Sequence, residues 1–473
     1  MDSKTILDMR RKFANDPSRP RFHYLPPSNW MNDPNGVIQW KGQYHLFYQH
    51  NPNGAFHADM HWGHAVSDDL IHWNDLPIAI APTPGTSDEG GVFSGCVAAD
   101  NNTPTAFYTG ANHGASIQKQ CMAVSHDNLL TWQKHPKNPI ISAPPSEMGQ
   151  ITDFRDPFLW REGGVWYMAV GSRIEGVGGA ILLYRSDNLT DWEYLNPLLV
   201  GESPRNGIMW ECPNLFQLGK KWVLIISAHL LHTTGTVLYF VGDYKNFRFT
   251  PEYEGILDHG YYYAPLTQLD DQNRRIMWGW LREGRSIEQQ KVTGWSGVQA
   301  IPRVLTLDSQ NRLNMEPVTE LSQIRSTRHQ FKSADIVDEF LPVSGLMLEI
   351  HATFTTNAGS KCGIALACSP DGKDKTEIIY DGATQTLRVL RYISDNTNDI
   401  DTYVQGALHR LEVQEALELD ILLDGSVLEI IANKRTSITS RIYSTQSNSE
   451  YIRIINSSAL TVLEIWEMSS IWQ

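Results

Sequence analysis

The sequence feature that most constrains the fold is a segment that recurs at nearly constant spacing in the first half of the chain. Copies run from Ala65 to Trp73, from Ala123 to Trp132 and from Tyr184 to Trp192, and a weaker copy covers Tyr244 to Phe247. The closing aromatic residues are therefore 59, 60 and 55 residues apart. A period of roughly 50 to 60 residues with strand-like patterning is typical of β-propeller blades.

A second repeated pattern begins each unit. A polar residue leads into a short apolar strand, a glycine-containing turn and an aromatic-rich strand, with clear copies at Asp33, Asp156 and Glu211 and looser ones at Ser94 and Ala264. Five starts predict five blades. Because the first strands of successive blades surround a central channel, we expect Asp33, Ser94, Asp156 and Glu211 to meet at one mouth of it.

The second half of the chain has a different pattern. From about Phe340 the sequence alternates apolar and polar residues and is rich in β-branched side chains, as in 346–354 and 426–431, which is typical of a β-sandwich. The predicted fold class is all-β, a five-bladed β-propeller followed by a C-terminal β-sandwich. The predicted segments are an N-terminal extension (1–20), the propeller as catalytic domain (21–312), a linker (313–339) and the sandwich (340–473).

Composition excludes several function classes. The formal net charge of -14 repels nucleic acid, and the sequence has no apolar run that is long enough to span a membrane. Five scattered cysteines without a CxxC pair predict reduced thiols, and the N-terminal stretch lacks the apolar centre of a secretory signal, so we expect a cytoplasmic protein. His61 and His64 have no accompanying cluster of metal ligands, so we expect neither a metal nor an organic cofactor.

Several runs around the blade starts resemble those of glycoside hydrolase family 32, the β-fructofuranosidases and invertases. The resemblance covers nearly the whole chain, and the family's propeller and sandwich agree with the repeat count. The matching runs are Trp30 to Gly36, Phe47 to Pro52, His61 to Ala65, Phe93 to Gly95, Phe154 to Pro157, Trp210 to Cys212 and Gly294 to Gly297.

The resemblance implies roles for individual residues. Asp33 is the expected nucleophile, Glu211 the general acid/base and Asp156 a transition-state stabiliser. The expected contacts of the fructosyl unit are Trp30, Asn32, Gln49, Trp62, Phe93, Ser94, Arg155 and Trp295. One departure is visible, because the family often has an Asp in a segment that here reads His259 to Ala264 with three consecutive tyrosines.

The chemistry of a fructosyl bond explains these residue types. Cleavage with retention needs one carboxylate that traps C2 and one carboxylic acid that protonates the leaving oxygen, with the two groups about 5 to 5.5 Å apart. Two neighbouring anions are expected to raise the pKa of Glu211, so that it holds its proton. Arg155 beside Asp156 is expected to keep that carboxyl ionised.

The expected substrate is sucrose or short fructo-oligosaccharides, and the oligomeric state is expected to be a monomer or a homodimer. Alternatives within the family are sucrose-6-phosphate hydrolysis, fructan hydrolysis and transfructosylation. From other classes, a propeller that only binds carbohydrate and an inverting glycosidase acting on arabinan or xylan remain open. Taken alone, Asp33 to Gly36 is also a good turn sequence, and Arg155 with Asp156 is also a plausible structural ion pair.

Overall fold

The computed structural model describes residues 3–112, 117–230, 235–336, 340–394 and 399–472. The chain begins with helix α1 (Ser3–Lys12), which lies against the propeller. Arg10 forms an ion pair with Asp75, with 2.6 Å between Nη2 and Oδ2, and Phe13 is buried in the propeller core. The predicted extension at 1–20 is thus attached to the propeller, and its first two residues lie outside the described part.

Five antiparallel sheets form the propeller, which confirms the predicted five blades. The first two blades contain β1 (Asn29–Trp40), β2 (Gln43–Asn51), β3 (His61–Ser67) and β4 (Trp73–Ile80), then β5 (Gly91–Asp100), β6 (Thr103–Ala111), β7 (Gln118–Val124) and β8 (Gln133–Lys134). The next two contain β9 (Phe154–Glu162), β10 (Val165–Ile174), β11 (Gly178–Ser186) and β12 (Glu193–Val200), then β13 (Met209–Leu218), β14 (Lys221–His229), β15 (Thr236–Lys245) and β16 (Arg248–Asp258).

The fifth blade completes the circle. It contains β17 (Tyr262–Leu269), β18 (Arg275–Leu281), β20 (Val298–Gln299), β21 (Arg303–Leu307) and β22 (Leu313–Pro317), and the connection within it carries α2 (Ile287–Thr293) and β19 (Trp295–Ser296). Strand β19 pairs in parallel with β1, so a segment from the last blade joins the sheet of the first. This pairing closes the ring of blades.

The recurring segment forms the turn between the third and fourth strands of a blade. In the first blade, Asp69 accepts hydrogen bonds from two backbone N–H groups that follow it, and Leu70 adopts a φ of 70°. Trp73 then donates from Nε1 to the Leu70 carbonyl oxygen, just as Trp192 donates to that of Leu189 in the third blade. The repeat therefore encodes a capped turn, and in these two blades its tryptophan donates a hydrogen bond back to that turn.

The C-terminal half forms two packed sheets, as predicted. The six-stranded sheet contains β23 (Arg325–Phe331), β24 (Met347–Phe354), β29 (Leu417–Asp424), β30 (Val427–Ala432), β31 (Thr436–Arg441) and β33 (Leu460–Met468). The five-stranded sheet contains β25 (Lys361–Cys368), β26 (Lys375–Asp381), β27 (Thr386–Tyr392), β28 (Gln405–Leu408) and β32 (Tyr451–Ile455). Along β24 buried and partly exposed residues alternate, as the sequence pattern indicates for a strand with one face in the core.

The structure corrects the predicted linker at 313–339. Strand β22 pairs with β21 and belongs to the propeller, whereas β23 pairs with β33 and belongs to the sandwich. The connection between them is the 3-10 helix Thr319–Ile324, in which Leu321 and Ile324 are buried. Strands β22 and β23 are too short for the alternation of apolar and polar residues to identify them from the sequence. Residues 337–339 lie outside the described part.

A buried charge network joins the propeller to the sandwich. His23 is completely buried, with Nδ1 2.8 Å from Asp424 Oδ2 and Nε2 2.9 Å from Glu429 Oε1. Arg303 of the propeller forms an ion pair with the same Glu429. Burial alone would lower the pKa of His23, but the hydrogen bonds to Asp424 and Glu429 raise it to about 9. The two domains are therefore held by a protonated histidine between two carboxylates.

This network makes stability depend on pH. The pKa of His23 is higher in the folded protein than in the unfolded chain, so its contribution is complete below about pH 6.5 and is lost as the pH rises towards 9. We expect the free energy of unfolding to fall by about 3 kcal/mol over this range. Urea unfolding at several pH values measures it. His23→Gln should lose this dependence, whereas His72→Gln at an exposed histidine should keep it; equal slopes for both would contradict the assignment.

Candidate active site

In every blade, the hydrogen-bond pairing between the first and second strands is interrupted near the channel. The register shifts within β1, β5, β9, β13 and β17, and the two residues that each shift leaves unpaired belong to a short tripeptide. These tripeptides are Asn32-Asp33-Pro34, Phe93-Ser94-Gly95, Arg155-Asp156-Pro157, Glu211-Cys212-Pro213 and Tyr263-Ala264-Pro265. A bulge of this kind bends the strand and re-aims its side chains. Two consecutive residues of each blade can therefore face the channel, where a regular strand would present only one.

The five bulges define two rings of side chains. The inner ring consists of the middle residues, Asp33, Ser94, Asp156, Cys212 and Ala264, and the outer ring of the first residues, Asn32, Phe93, Arg155, Glu211 and Tyr263. A narrow cavity is lined by four members of the inner ring, Ser94, Asp156, Cys212 and Ala264, and by the residues that follow the middle positions, Pro34, Gly95, Pro157, Pro213 and Pro265. A wide cavity is lined by every outer-ring residue.

The rings correct one prediction. Glu211 was expected to occupy the same blade position as Asp33 and Asp156, but Cys212 occupies it and Glu211 lies one residue earlier. The proline after each middle residue marks this register, and Cys212 precedes Pro213. One residue of strand corresponds to about 3.3 Å, so the acid at Glu211 is displaced along the channel from the other two.

Glycine replaces proline in the second blade for a steric reason. A Cβ atom built on Gly95 would lie only 1.9 Å from the carbonyl oxygen of Phe107 on the neighbouring strand. No side chain of any kind fits there without a shift of the backbone. The close approach of the two strands holds the preceding residue, Ser94, against the first blade.

Hydrogen bonds fix the carboxylates of the inner ring. Ser94 Oγ donates to Asp33 Oδ2 over 2.6 Å, and the backbone N–H of Cys212 donates to Asp156 Oδ2 over 3.0 Å. The Cys212 thiol lies between the two acids, with Sγ 3.4 Å from Asp156 Oδ2 and 3.8 Å from Asp33 Oδ2. Thr109 Oγ1 also accepts the backbone N–H of Asp156. Asp156 is thus buried and Asp33 half-buried, and donors hold both carboxylates.

In the outer ring, Glu211 is bound on both oxygens. Arg155 donates from Nε to Oε1 over 2.8 Å, and it is itself held by Asp153, 3.0 Å from Nη1. At Oε2, Tyr263 donates from its hydroxyl over 2.8 Å and His229 Nε2 lies 2.6 Å away. Arg155 therefore pairs with Glu211 and Asp153, and its predicted pairing with Asp156 is wrong.

These contacts and burial set the proton affinities of the three acids. Burial raises the pKa of Asp33 to about 7, assisted by the charge of Asp156 and opposed by the Ser94 hydrogen bond. Burial and the charge of Glu211 raise the pKa of Asp156, against the effect of Arg155. For Glu211, burial is outweighed by Arg155 and by the His229 and Tyr263 hydrogen bonds, which lower its pKa to about 2.

One expectation about charge is therefore wrong for this structure, and another holds only in part. Glu211 was expected to have a raised pKa because two anions stand near it, but its three donors were not visible in the sequence. Arg155 favours the ionised form of Asp156, as expected, but it is hydrogen-bonded to Glu211, and burial and the charge of Glu211 outweigh its effect on the pKa of Asp156. The raised pKa of Asp33 and the lowered pKa of Glu211 favour a proton on Asp33 over one on Glu211.

The wide cavity has a volume of about 470 Å³ and is strongly polar. Its lining residues are Asn32, Asp33, Gln49, His57, Phe93, Ser94, Gln118, Thr152, Asp153, Arg155, Asp156, Glu211, His229, Tyr263 and Trp280. Asp33, Asp156 and Glu211 thus face one cavity, as the sequence repeats predict. Five of the eight expected sugar contacts also line it, namely Asn32, Gln49, Phe93, Ser94 and Arg155.

The three tryptophans among the expected sugar contacts lie outside this lining. Trp30 borders the cavity, because its Nε1 donates to Asn32 Oδ1 and its ring packs against Trp280. Trp62 is fully buried and donates to the carbonyl oxygen of Phe93, so it supports a lining residue.

Trp295 lies further away and has a structural role. It is 1% exposed, donates to Asp16 Oδ2 and packs under Arg285. Neither Trp62 nor Trp295 lines the described cavity, and their contact with the sugar stays a prediction.

Several lining residues were not found from the sequence. They are His57, Gln118, Thr152, Asp153, His229, Tyr263 and Trp280. Tyr263 had an available signal, because it precedes the blade start at Ala264. The others come from loops and strand ends outside the repeated motifs.

The segment that departs from the family pattern has a clear structure. Tyr261 donates from its hydroxyl to Asp401 Oδ2 of the sandwich over 2.6 Å, and Tyr262 is buried beneath the guanidinium of Arg303. Only Tyr263 reaches the cavity, where it donates to Glu211. The three tyrosines thus connect the sandwich, the propeller core and the site in succession.

Two kinds of feature are absent from the described residues. No group of three or more His, Cys, Asp or Glu side chains among them is arranged to hold a metal ion. None of the helices described is both long and apolar enough to cross a membrane.

Comparison with known proteins agrees with this geometry. Residues 23–317 match the family model for the glycosyl hydrolases family 32 N-terminal domain, and residues 320–467 match that for the family 32 C-terminal domain. The sucrose-6-phosphate hydrolase of Zymomonas mobilis is 34% identical over 459 residues, which cover 90% of this chain and 86% of that protein. The raffinose invertase of Escherichia coli is 31% identical, over 90% of this chain and 89% of that protein.

Solved structures show the same architecture. Sucrose-6-phosphate hydrolase from Lactobacillus gasseri superposes with a TM-score of 0.86 at 27% identity, covering 100% of this chain and 97% of that one. Fructan 1-exohydrolase IIa from Cichorium intybus, in complex with 1-kestose, gives 0.85 at 27% identity, covering 96% and 98%. The chain belongs to glycoside hydrolase family 32.

Proposed function

We propose that this protein hydrolyses terminal β-D-fructofuranosides, with sucrose as the principal substrate, and retains the configuration at C2. The observation that carries the proposal is the meeting of Asp33, Asp156 and Glu211 in one polar cavity at the centre of the propeller. The relatives support the reaction class, since they include sucrose-6-phosphate hydrolases, an invertase and a levanase. Pure carbohydrate binding would not require three converging acids.

In the first half of the reaction, the ionised Asp33 attacks C2 and forms a covalent fructosyl-enzyme. Glu211 protonates the departing glycosidic oxygen, and Asp156 binds fructose hydroxyls and stabilises the positive charge that develops at C2. The offset between the inner and outer rings suits these two roles. Asp33 of the inner ring must reach C2, whereas Glu211 of the outer ring must reach the glycosidic oxygen bonded to C2. In the second half, Glu211 takes a proton from water, which releases fructose.

The reaction needs a proton on Glu211 and none on Asp33, whereas the structure favours the opposite arrangement. Asp33 must therefore lose a proton before it can attack C2, and Glu211 must gain one. Protonation of Asp33 limits the rate on the acid side of an optimum, and loss of the proton that Glu211 needs limits it on the alkaline side.

The cavity favours an uncharged leaving group. Among the described residues that line it, Arg155 is the permanent cation, and Glu211 and Asp153 already neutralise it. A sugar phosphate would bring a further dianion close to four carboxyl groups. Sucrose is therefore proposed ahead of sucrose 6-phosphate, while fructan hydrolysis and transfructosylation share the same first half-reaction and differ only in leaving group or acceptor.

We also propose that the protein acts in the cytoplasm. All five cysteines are free and buried, which suits a reducing compartment. A monomer or a homodimer stays the prediction for the oligomeric state.

The roles of the two central acids can be separated with leaving groups. We expect Asp33→Ala to abolish turnover of both sucrose and a nitrophenyl fructoside, because no covalent intermediate can form. Glu211→Ala should lose about 10³-fold or more on sucrose but far less on the nitrophenyl fructoside, whose leaving group needs little protonation. Steady-state kinetics of both variants measure this. Equal losses of Glu211→Ala on both substrates would refute its role as the acid.

The Ser94 hydrogen bond should set the acid side of the pH profile. Removing it in Ser94→Ala takes a donor from ionised Asp33, so the pKa of Asp33 rises further. A hydrogen bond to a charged group corresponds to about one pH unit or more. We expect the acid limb of kcat/KM to move upwards by that amount. Ser125→Ala, in a blade turn, serves as the control, and an unmoved acid limb in Ser94→Ala would contradict the assignment.

The choice of leaving group can be tested directly. Because no free permanent cation lines the described cavity, we expect kcat/KM for sucrose to exceed that for sucrose 6-phosphate by at least about tenfold, which is the effect of 1.4 kcal/mol of unfavourable charge interaction. Release of glucose and of glucose 6-phosphate from the two substrates measures this. A preference for the phosphorylated sugar would place a cationic subsite beyond the described lining.

A further inference from the structure

His229 has no role in the mechanism derived above, yet it touches the general acid. It is the last residue of β14, where its backbone lies opposite Met209 of β13. Glu211 is two residues further along β13 on the same face, so His229 is its diagonal neighbour across the strand pair. The imidazole Nε2 lies 2.6 Å from Glu211 Oε2.

The surroundings of Glu211 leave few routes for a proton. Oε1 faces the Arg155 guanidinium, which remains charged, and Oε2 accepts from the Tyr263 hydroxyl, whose pKa burial raises well above its usual value. Neither group readily gives up a proton near neutral pH. His229 is different, since its side chain is 45% exposed and its Nδ1 has no hydrogen-bond partner among the residues that the structure describes.

We propose that His229 is a positioning residue that delivers protons between solvent and the general acid Glu211. Its exposed Nδ1 exchanges with water, while its Nε2 contacts Glu211. The inference rests on the proposed hydrolytic function, because it assigns the source of the proton which that function needs on Glu211.

The proton movements balance over one turnover. The cycle begins with Asp33 ionised and His229 protonated. In the first half, His229 passes its Nε2 proton to Glu211 Oε2. Glu211 passes a proton to the glycosidic oxygen as the C2–O bond breaks and the bond from Asp33 to C2 forms. In the second half, water attacks C2 and releases Asp33, and its proton goes to Glu211 and then back to His229 Nε2. The net change is hydrolysis alone.

The charges around His229 are consistent with this cycle. The hydrogen bond to Glu211 raises the pKa of His229, with further contributions from the charges of Glu211 and Asp153 and an opposing one from Arg155. The pair formed by His229 and Glu211 therefore retains a proton at a pH where an isolated carboxyl near Arg155 would have lost it. On this basis, loss of the proton that His229 and Glu211 share sets the alkaline limb of the pH profile of kcat.

The test is the pH dependence of kcat on sucrose for His229→Gln, which keeps a hydrogen-bond donor but cannot carry the proton. We expect its alkaline limb to move to lower pH by one unit or more, so that kcat beyond the limb falls about tenfold or more relative to the unsubstituted protein. A role confined to the ion pair predicts the opposite, because loss of a cation raises the proton affinity of Glu211. An upward shift or no shift would overturn the proposal.

Two further measurements make the test independent of folding. In His229→Ala, added imidazole should restore the lost alkaline activity, because the position is half-exposed; absence of rescue counts against the relay. His72→Gln, at an exposed histidine paired with Asp69, should leave the profile unchanged. If the unsubstituted protein does not hydrolyse sucrose, the proposed function fails; if it does and the limb of His229→Gln stays in place, only this inference fails.

Discussion

The bulge in the first strand of each blade is the constraint on which the site depends. A regular strand would direct alternate residues into the channel, so adjacent residues such as Arg155 and Asp156 could not both face it. The break in the ladder lets five blades contribute two residues each. Asp33 and Asp156 then share one ring, and Glu211 stands in the next. The separation of nucleophile and acid thus follows from one residue of register.

This arrangement brings the carboxyl groups of Asp33, Asp156 and Glu211 together away from solvent. Hydrogen bonds and opposite charges must offset the free-energy cost of burying them. Arg155 neutralises Glu211, Ser94 and Asn32 donate to Asp33, and a backbone N–H donates to Asp156. The compensation is incomplete, so Asp33 tends to hold a proton. Reactivity therefore costs stability at this site, because Asp33 must be ionised to attack C2 although burial favours its protonated form.

The sequence predicts most of the fold because each blade repeats the same local code. The capped turn before Trp73 and Trp192 recurs with the same hydrogen-bonding side chains, and such a local motif can be recognised from one sequence alone. The offset of Glu211 was missed because matching the blades by their acids hides it, and the local signal that marks it is Pro213 after Cys212. His229 and Trp280 were missed for another reason, since they lie on the second strands of their blades, opposite Met209 and Tyr263, and outside the repeated first-strand pattern.

The sandwich reaches the chemistry through the segment that departs from the family pattern. Tyr261 is bound by Asp401 of the sandwich, and two residues later Tyr263 binds Glu211, so a short stretch of backbone joins the domain contact to the general acid. Arg282 reinforces this link, because its guanidinium lies over the Tyr263 ring while its backbone N–H donates to the Tyr261 carbonyl oxygen. The tyrosines of this segment provide no carboxylate that could contact the leaving group. Instead, they fix the position of the Tyr263 hydroxyl that binds Glu211.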